Sequence, residues 1–175
     1  MKKKVLVIGQ SLLWCLVILL FPVASGALSV ILALDAVETL RLQGAFMLAA
    51  LVPPAVFVLS GKWRWKEIGF GKIDSEGCKR ALYFIPLLVI FVPAAVKGFS
   101  IGSADHVLGN LFLYLCVGIS EEIYFRGIIP QYLKREYQTR SVVLLSTFIF
   151  GIGHMAAAFT GINTFEIVLT ILGVV

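Results

Sequence analysis

The chain of 175 residues is 59% hydrophobic and 14% charged, against roughly 45–50% apolar and about 25% charged in an ordinary soluble domain. Together with a mean hydropathy of +0.97, that imbalance excludes a water-soluble globular domain, a disordered tail and a coiled coil, and leaves an all-α, polytopic transmembrane bundle. Net charge is +5, but the lysines and arginines lie in short segments between apolar runs, the pattern of orientation charge and not of a nucleic-acid-binding face.

The first apolar run, Val5 to Leu34, is 30 residues long. At ~1.5 Å per residue it exceeds the ~30 Å hydrocarbon core, so it must tilt or kink, with Pro22 the natural place. Lys2, Lys3 and Lys4 ahead of it and Val23-Ala24-Ser25 within it also fit a cleavable signal peptide, but Leu28 to Leu34 continues as membrane sequence. A second span is expected from Leu42 to Ser60 with a break at Pro53-Pro54, a third from Ala81 to Val96, a fourth from Val107 to Ile129 and a fifth from Ser141 to Thr160. A sixth apolar run begins at Phe165 and reaches Val175, about half the hydrocarbon thickness. The expectation is one membrane domain over residues 1–175, with about five complete spans and a partial sixth.

Basic residues set the direction. Lys2 to Lys4, then Lys62, Arg64, Lys66, Lys72, Lys79 and Arg80, then Lys134, Arg135 and Arg140 all fall on one side of the span count, whereas Asp35, Glu38, Arg41 and Asp105 fall on the other. The positive-inside tendency makes the basic side cytoplasmic, with the N-terminus inside and the loop 61–80, carrying Trp63 and Trp65, at the cytoplasmic interface of the cell membrane. Cys15, Cys78 and Cys116 are odd in number and follow no CxxC spacing, so they read as incidental thiols.

The fourth span holds Ser120-Glu121-Glu122-Ile123-Tyr124-Phe125-Arg126. Each charge costs about 2.5–3.5 kcal/mol at mid-helix even on the lenient insertion scale, so such groups should be paired, face the bundle interior and mark function. Glu122 and Arg126 are four apart and share a helical face, where they neutralise one another. Glu121 is turned about 100° away and is left for other work. The fifth span supplies Phe150-Gly151-Ile152-Gly153-His154, a lone histidine whose glycines let another helix come close. Glu121 precedes Lys134 by 13 residues and His154 follows Arg140 by 14. Both therefore lie ~20 Å from the basic turn and share a level in the membrane. A carboxylate and an imidazole meeting there can hold and deprotonate a water. They would serve equally as an interhelical hydrogen bond, and spacing alone does not choose.

Glu121-Glu122-x-x-x-Arg126-Gly127 followed on the next span by Phe150-x-x-x-His154 resembles the first two motifs of the CPBP family, which includes the type II CAAX prenyl endopeptidases and the bacterial Abi proteins linked to bacteriocin processing or self-immunity. The similarity covers residues 107–175. The resemblance implies an intramembrane glutamate-dependent endopeptidase in which Glu121 and His154 activate the attacking water, Glu122, Arg126 and Phe150 shape the site, and a peptide or prenylated protein is cut near its C-terminus. It implies no cofactor, and with no HExxH pair a zinc is not predicted; the partners are membrane lipid and that substrate, with no nucleic acid. A third motif, histidine followed four residues later by asparagine, is absent after His154. His106 and Asn110 have that spacing but precede Glu121, roughly 16–22 Å away, and read as polar residues at the outer helix start. The chain thus looks like a C-terminally shortened member, and a non-catalytic role in bacteriocin self-immunity or partner binding is the alternative. A proton-relay transporter would leave Phe150 and Arg126 unexplained.

Overall fold

The structure is a computed structural model that describes residues 2–68, 71, 79 and 103–155. No strand occurs among them. The expected span from Ala81 to Val96, the end of the fifth span, the sixth run, half of the 61–80 loop and Cys78 lie outside the described residues.

Where no water can satisfy the backbone, an apolar run becomes helix, because every N–H and C=O must find its partner within the segment. Helix α1 (Lys2–Ile31) runs unbroken through Pro22. Its buried hydroxyls turn back on their own helix, Ser11 Oγ donating to Val7 O at 2.8 Å, Ser25 to Pro22 O at 3.0 Å and Ser29 to Gly26 O at 2.8 Å, so none is left unpaired. The helix closes with Ala33 at φ 49° and the Leu34 N–H reaching Ser29 O at 3.1 Å, a left-handed closure that glycine usually makes.

Helix α2 (Ala36–Ala49) starts before the expected Leu42 because Asp35 and Glu38 form a capping box: Asp35 Oδ1 accepts from Glu38 N at 2.8 Å and Glu38 Oε2 from Asp35 N at 3.1 Å. Helix α3 (Val52–Leu59) continues the same span after a break. Pro53 and Pro54 have no N–H, so the carbonyls of Ala49 and Ala50 lose their helical partners and the chain shifts there. A 3₁₀ turn, Trp65–Ile68, follows. Helix α4 (Ala104–Glu121) passes through a π-helical segment, Glu122–Ile128, into α5 (Ile129–Leu133), and α6 (Thr139–Met155) runs back. Among the described residues three segments are long and apolar enough to cross a membrane: Lys2–Ile31, Ala36–Leu59 and Ala104–Leu133.

The α2–α3 span packs most extensively on α4, and α1 lies against α2, α5 and α6. The α2–α4 approach is close enough that a Cβ on Gly44 would sit 2.5 Å from the Phe112 ring. A ladder of aromatic rings ties the centre together, Tyr124 on Trp14 at 5.6 Å, Trp14 on Phe57 at 5.4 Å, Phe57 on Trp63 at 5.1 Å and Trp63 on Tyr132 at 4.8 Å. The basic segments share one end of the bundle, since Lys4 Nζ lies 5.3 Å over the Tyr137 ring and the Arg135 guanidinium 5.9 Å over Trp63. Arg41 meets Asp105 at 3.1 Å at the other end, so these two sets of charges lie at opposite ends of the described helices.

Candidate active site

Glu121 is held in place by the residues around it. Ser120 Oγ donates to Met47 O at 2.7 Å and Tyr124 Oη to Ala50 O at 2.8 Å. Both carbonyls are products of the proline break: Pro54 has no N–H to give Ala50 O, and the Leu51 N–H bonds Leu48 O at 3.1 Å instead of Met47 O. An orphan carbonyl in a membrane interior is costly. The two hydroxyls satisfy both orphans and dock α4 on the break, with Glu121 between them. Sequence reasoning passed over Ser120 and Tyr124; the readable signal was two hydroxyls four apart flanking Glu121 opposite a proline pair.

Past Glu121 the helix widens. The Ile129 N–H bonds Tyr124 O, five residues back. Pro130 offers no N–H, and its ring would press on the carbonyl four residues earlier, so the wider turn lets the helix continue to Leu133. Such π turns recur at functional sites. The 3₁₀ turn presses on this segment: a Cβ on Gly127 would lie 2.6 Å from Ile68 O, and Gln131 Nε2 donates to Glu67 O. Gly127 is needed for that close backbone approach.

His154 arrives on α6, which α1 approaches across Gly153; there the nearest neighbours of an added Cβ would be Cys15 Sγ at 3.6 Å, Phe125 at 3.7 Å and Leu19 at 3.8 Å. The Cys15 thiol donates to Ile149 O at 3.7 Å. The imidazole packs on Phe150 at 4.2 Å, and Phe150 meets Phe125 edge-on at 4.9 Å. His154 Nδ1 is 3.2 Å from Phe150 O. A carbonyl can only accept, so Nδ1 carries the proton of the neutral ring and Nε2 presents its lone pair.

That lone pair faces Glu121. Nε2 and Oε1 are 3.8 Å apart, with the side chains 27% and 32% exposed. The two residues placed at one level by counting from the basic turn are thus brought together. The separation is longer than a hydrogen bond, so the groups are not locked on each other and both can reach one water molecule. They stand at the side of a cavity of about 1030 Å³ lined mainly by α1 residues such as Ile18, Pro22, Val23 and Val30, together with Met47 and Phe125.

Glu122 and Arg126 correct the sequence reading in one respect. The pair forms, Nη1 to Oε1 at 2.5 Å, but the side chains are 57% and 79% exposed and do not face the interior formed by the described residues. Ile123, Tyr124, Phe125, Gly127 and Ile128 take the buried side of the π segment, which leaves positions 122 and 126 on its outer side. Mutual neutralisation, not burial, compensates their charges. His106 and Asn110 lie at the other end of α4, where Asn110 Nδ2 donates to His106 O at 3.0 Å and the Ser103 hydroxyl accepts from the His106 N–H. Among the described residues no group of three or more histidine, cysteine, aspartate or glutamate side chains is placed to hold a metal ion.

Residues 103–175, less than half of the chain, match the family model described as Type II CAAX prenyl endopeptidase Rce1-like, consistent with a CPBP family protease. The match starts at the cap of α4 and takes in both Glu121 and His154. No curated protein and no solved structure matches the chain.

Proposed function

We propose that this chain is an intramembrane, glutamate-dependent endopeptidase of CAAX type, with Glu121 and His154 as its catalytic residues. Glu122, Arg126 and Phe150 hold the site in shape, and the substrate is a protein or peptide, prenylated or otherwise apolar, cut near its C-terminus. The observation that carries the reading is the Glu121–His154 pair at 3.8 Å beside a large apolar cavity. With Nδ1 committed to Phe150 O, a water bound between the pair donates one hydrogen bond to Glu121 Oε1 and the other to His154 Nε2, which leaves its lone pair for the scissile carbonyl. Glu121 takes a proton as the oxygen–carbon bond forms. The carbon–nitrogen bond then breaks as Glu121 passes that proton to the leaving amine, and the water's second proton follows it through His154 Nε2. One water is consumed, and a carboxylate and a protonated amine leave. The apolar walls suit a lipidated or hydrophobic segment better than a polar one.

In this reading the protein is a single membrane domain of five or six spans in the cytoplasmic membrane. Its basic end, with the N-terminus and the 61–80 loop, faces inside. The test is cleavage of a prenylated CAAX-type peptide by the full chain in proteoliposomes, compared with Glu121→Gln. Cleavage by the wild type that falls by about 10²–10⁴-fold in the variant is expected for loss of a general base. An intact product rate in folded Glu121→Gln, or no turnover by the wild type on prenylated and unprenylated peptides alike, would instead favour a partner-binding or self-immunity protein.

A further inference from the structure

At the basic end of the bundle, away from Glu121, the chain after α3 and the end of α5 enclose a smaller concavity. Lys62, Trp63, Glu67, Gln131, Lys134 and Arg135 line it, with a volume of about 380 Å³. Its cations come from two separate stretches of sequence. Arg135 is held by the aromatic floor, its guanidinium 4.8 Å over Tyr132 and 5.9 Å over Trp63, and Lys62 Nζ lies 4.9 Å over the Phe57 ring. Lys134 is exposed. The one carboxylate of the lining, Glu67, is already engaged: its oxygens accept from the Arg64 backbone N–H at 2.9 Å and from the Arg64 guanidinium at 3.1 Å, contacts that hold its carboxyl below the usual carboxylate range. Gln131 is also committed, donating to Glu67 O.

What remains is an excess of positive charge in a formed hollow with an aromatic floor. We propose that this hollow binds a phosphate-bearing anion, and that the source is the headgroup of an anionic membrane lipid. Arg135 would grip the phosphate oxygens through its planar fork while Lys62 and Lys134 supply point charges from either side. Depth decides the source. The hollow sits where the α2–α3 and α4–α5 spans end, and Trp63 and Tyr132 mark the aromatic level of a membrane interface, so the phosphates nearest to it are those of the lipids around the protein. The occupant also has a structural consequence. The same hollow's Glu67 and Gln131 join the 3₁₀ turn to α5, directly after the π segment, so a bound headgroup clamps the turn that closes over Gly127.

The test uses the full chain in nanodiscs of phosphatidylcholine titrated with phosphatidylglycerol, reading lipid retention by native mass spectrometry and the apparent Tm. Lys134→Gln, which leaves the aromatic stacking of Arg135 in place, should weaken retention about fivefold, and Lys134→Glu further still, at about one cationic contact per step. Replacing Lys2, Lys3 and Lys4 together by Gln removes more charge from the same end and should change retention less than the single Lys134→Gln. If instead the triple variant loses more, or Lys134→Glu retains phosphatidylglycerol as the wild type does, the charge acts diffusely and the site does not exist. Inorganic phosphate added to pure phosphatidylcholine nanodiscs separates the sources. No rise in Tm supports the lipid, and a rise equal to that given by phosphatidylglycerol overturns the lipid assignment in favour of a soluble phosphate.

Discussion

Glu121 and Glu122 are neighbours in sequence and occupy two different regions of the molecule. Glu122 lies on the outer side of the π segment, closed on Arg126 at 2.5 Å by a contact one helix makes with itself. Glu121 lies on the inner side, 3.8 Å from a histidine on another helix and beside a large cavity. The local pair satisfies its charges and leaves nothing for a substrate. The tertiary pair leaves a carboxylate and an imidazole lone pair unspent and aimed at the same place, which is what hydrolytic chemistry needs. In the proposed function, reactivity belongs to the residue whose partner had to be brought from elsewhere in the fold.

The sharpest way to break this contrast is to exchange the two residues' fates. Glu121→Gln should abolish peptidase turnover, a fall of about 10²–10⁴-fold, while the protein still folds and inserts. Arg126→Ala should act on stability instead. It leaves the Glu122 carboxylate alone on an apolar helix, at a cost approaching about 2.5–3.5 kcal/mol. Glu122→Gln combined with Arg126→Met should be better tolerated than Arg126→Ala alone, as read by the yield of folded protein in membranes; equal yields would show that the ion pair is not what holds those residues. Gly127→Ala comes next. The new methyl meets a backbone oxygen that cannot rotate away, and about 1–3 kcal/mol of overpacking is expected in a Tm or proteolysis measurement.

Tyr124→Phe strips the Ala50 carbonyl of its donor and should cost about 1–2 kcal/mol, near the upper range for interhelical hydrogen bonds in membranes. Because that bond fixes the turn bearing Glu121, turnover should fall with it even where the protein remains folded. The smallest effect is a gain. Ala33→Gly removes the left-handed strain at the end of α1 and should stabilise by about 0.5–1 kcal/mol, with no change in turnover.

Those experiments touch features that differ in how far the sequence exposed them. The meeting of Glu121 and His154 was legible, because two counts from one basic turn fix the depth of both residues when the connecting segments are helices. The i, i+4 pairing of Glu122 with Arg126 was legible too, but its direction was not: which side of a helix faces the bundle is decided by neighbours, and the π turn shifts the helical wheel after Glu121. The capping box Asp35-x-x-Glu38 was present as a signature, yet its charges were read as belonging to a turn, and so the start of α2 was placed late. Least visible were the hooks at Ser120 and Tyr124. Their partners are carbonyls freed by prolines far away in sequence, and only the folded arrangement shows that the two needs meet. Residues 103–175 carry both the family match and the Glu121–His154 pair, so the part of the chain whose chemistry was most readable is also the part that matches a family model.

The central claim is that Glu121 and His154 act together on one water. A double-mutant cycle on peptide cleavage in proteoliposomes, using Glu121→Gln, His154→Asn and the two combined, tests it most directly. Groups that act as a unit are strongly non-additive, so the double variant should be no slower than the slower of the two singles. If the two losses simply multiply, or if folded His154→Asn cleaves at the wild-type rate, the pair does not share a water and the proposed site is wrong.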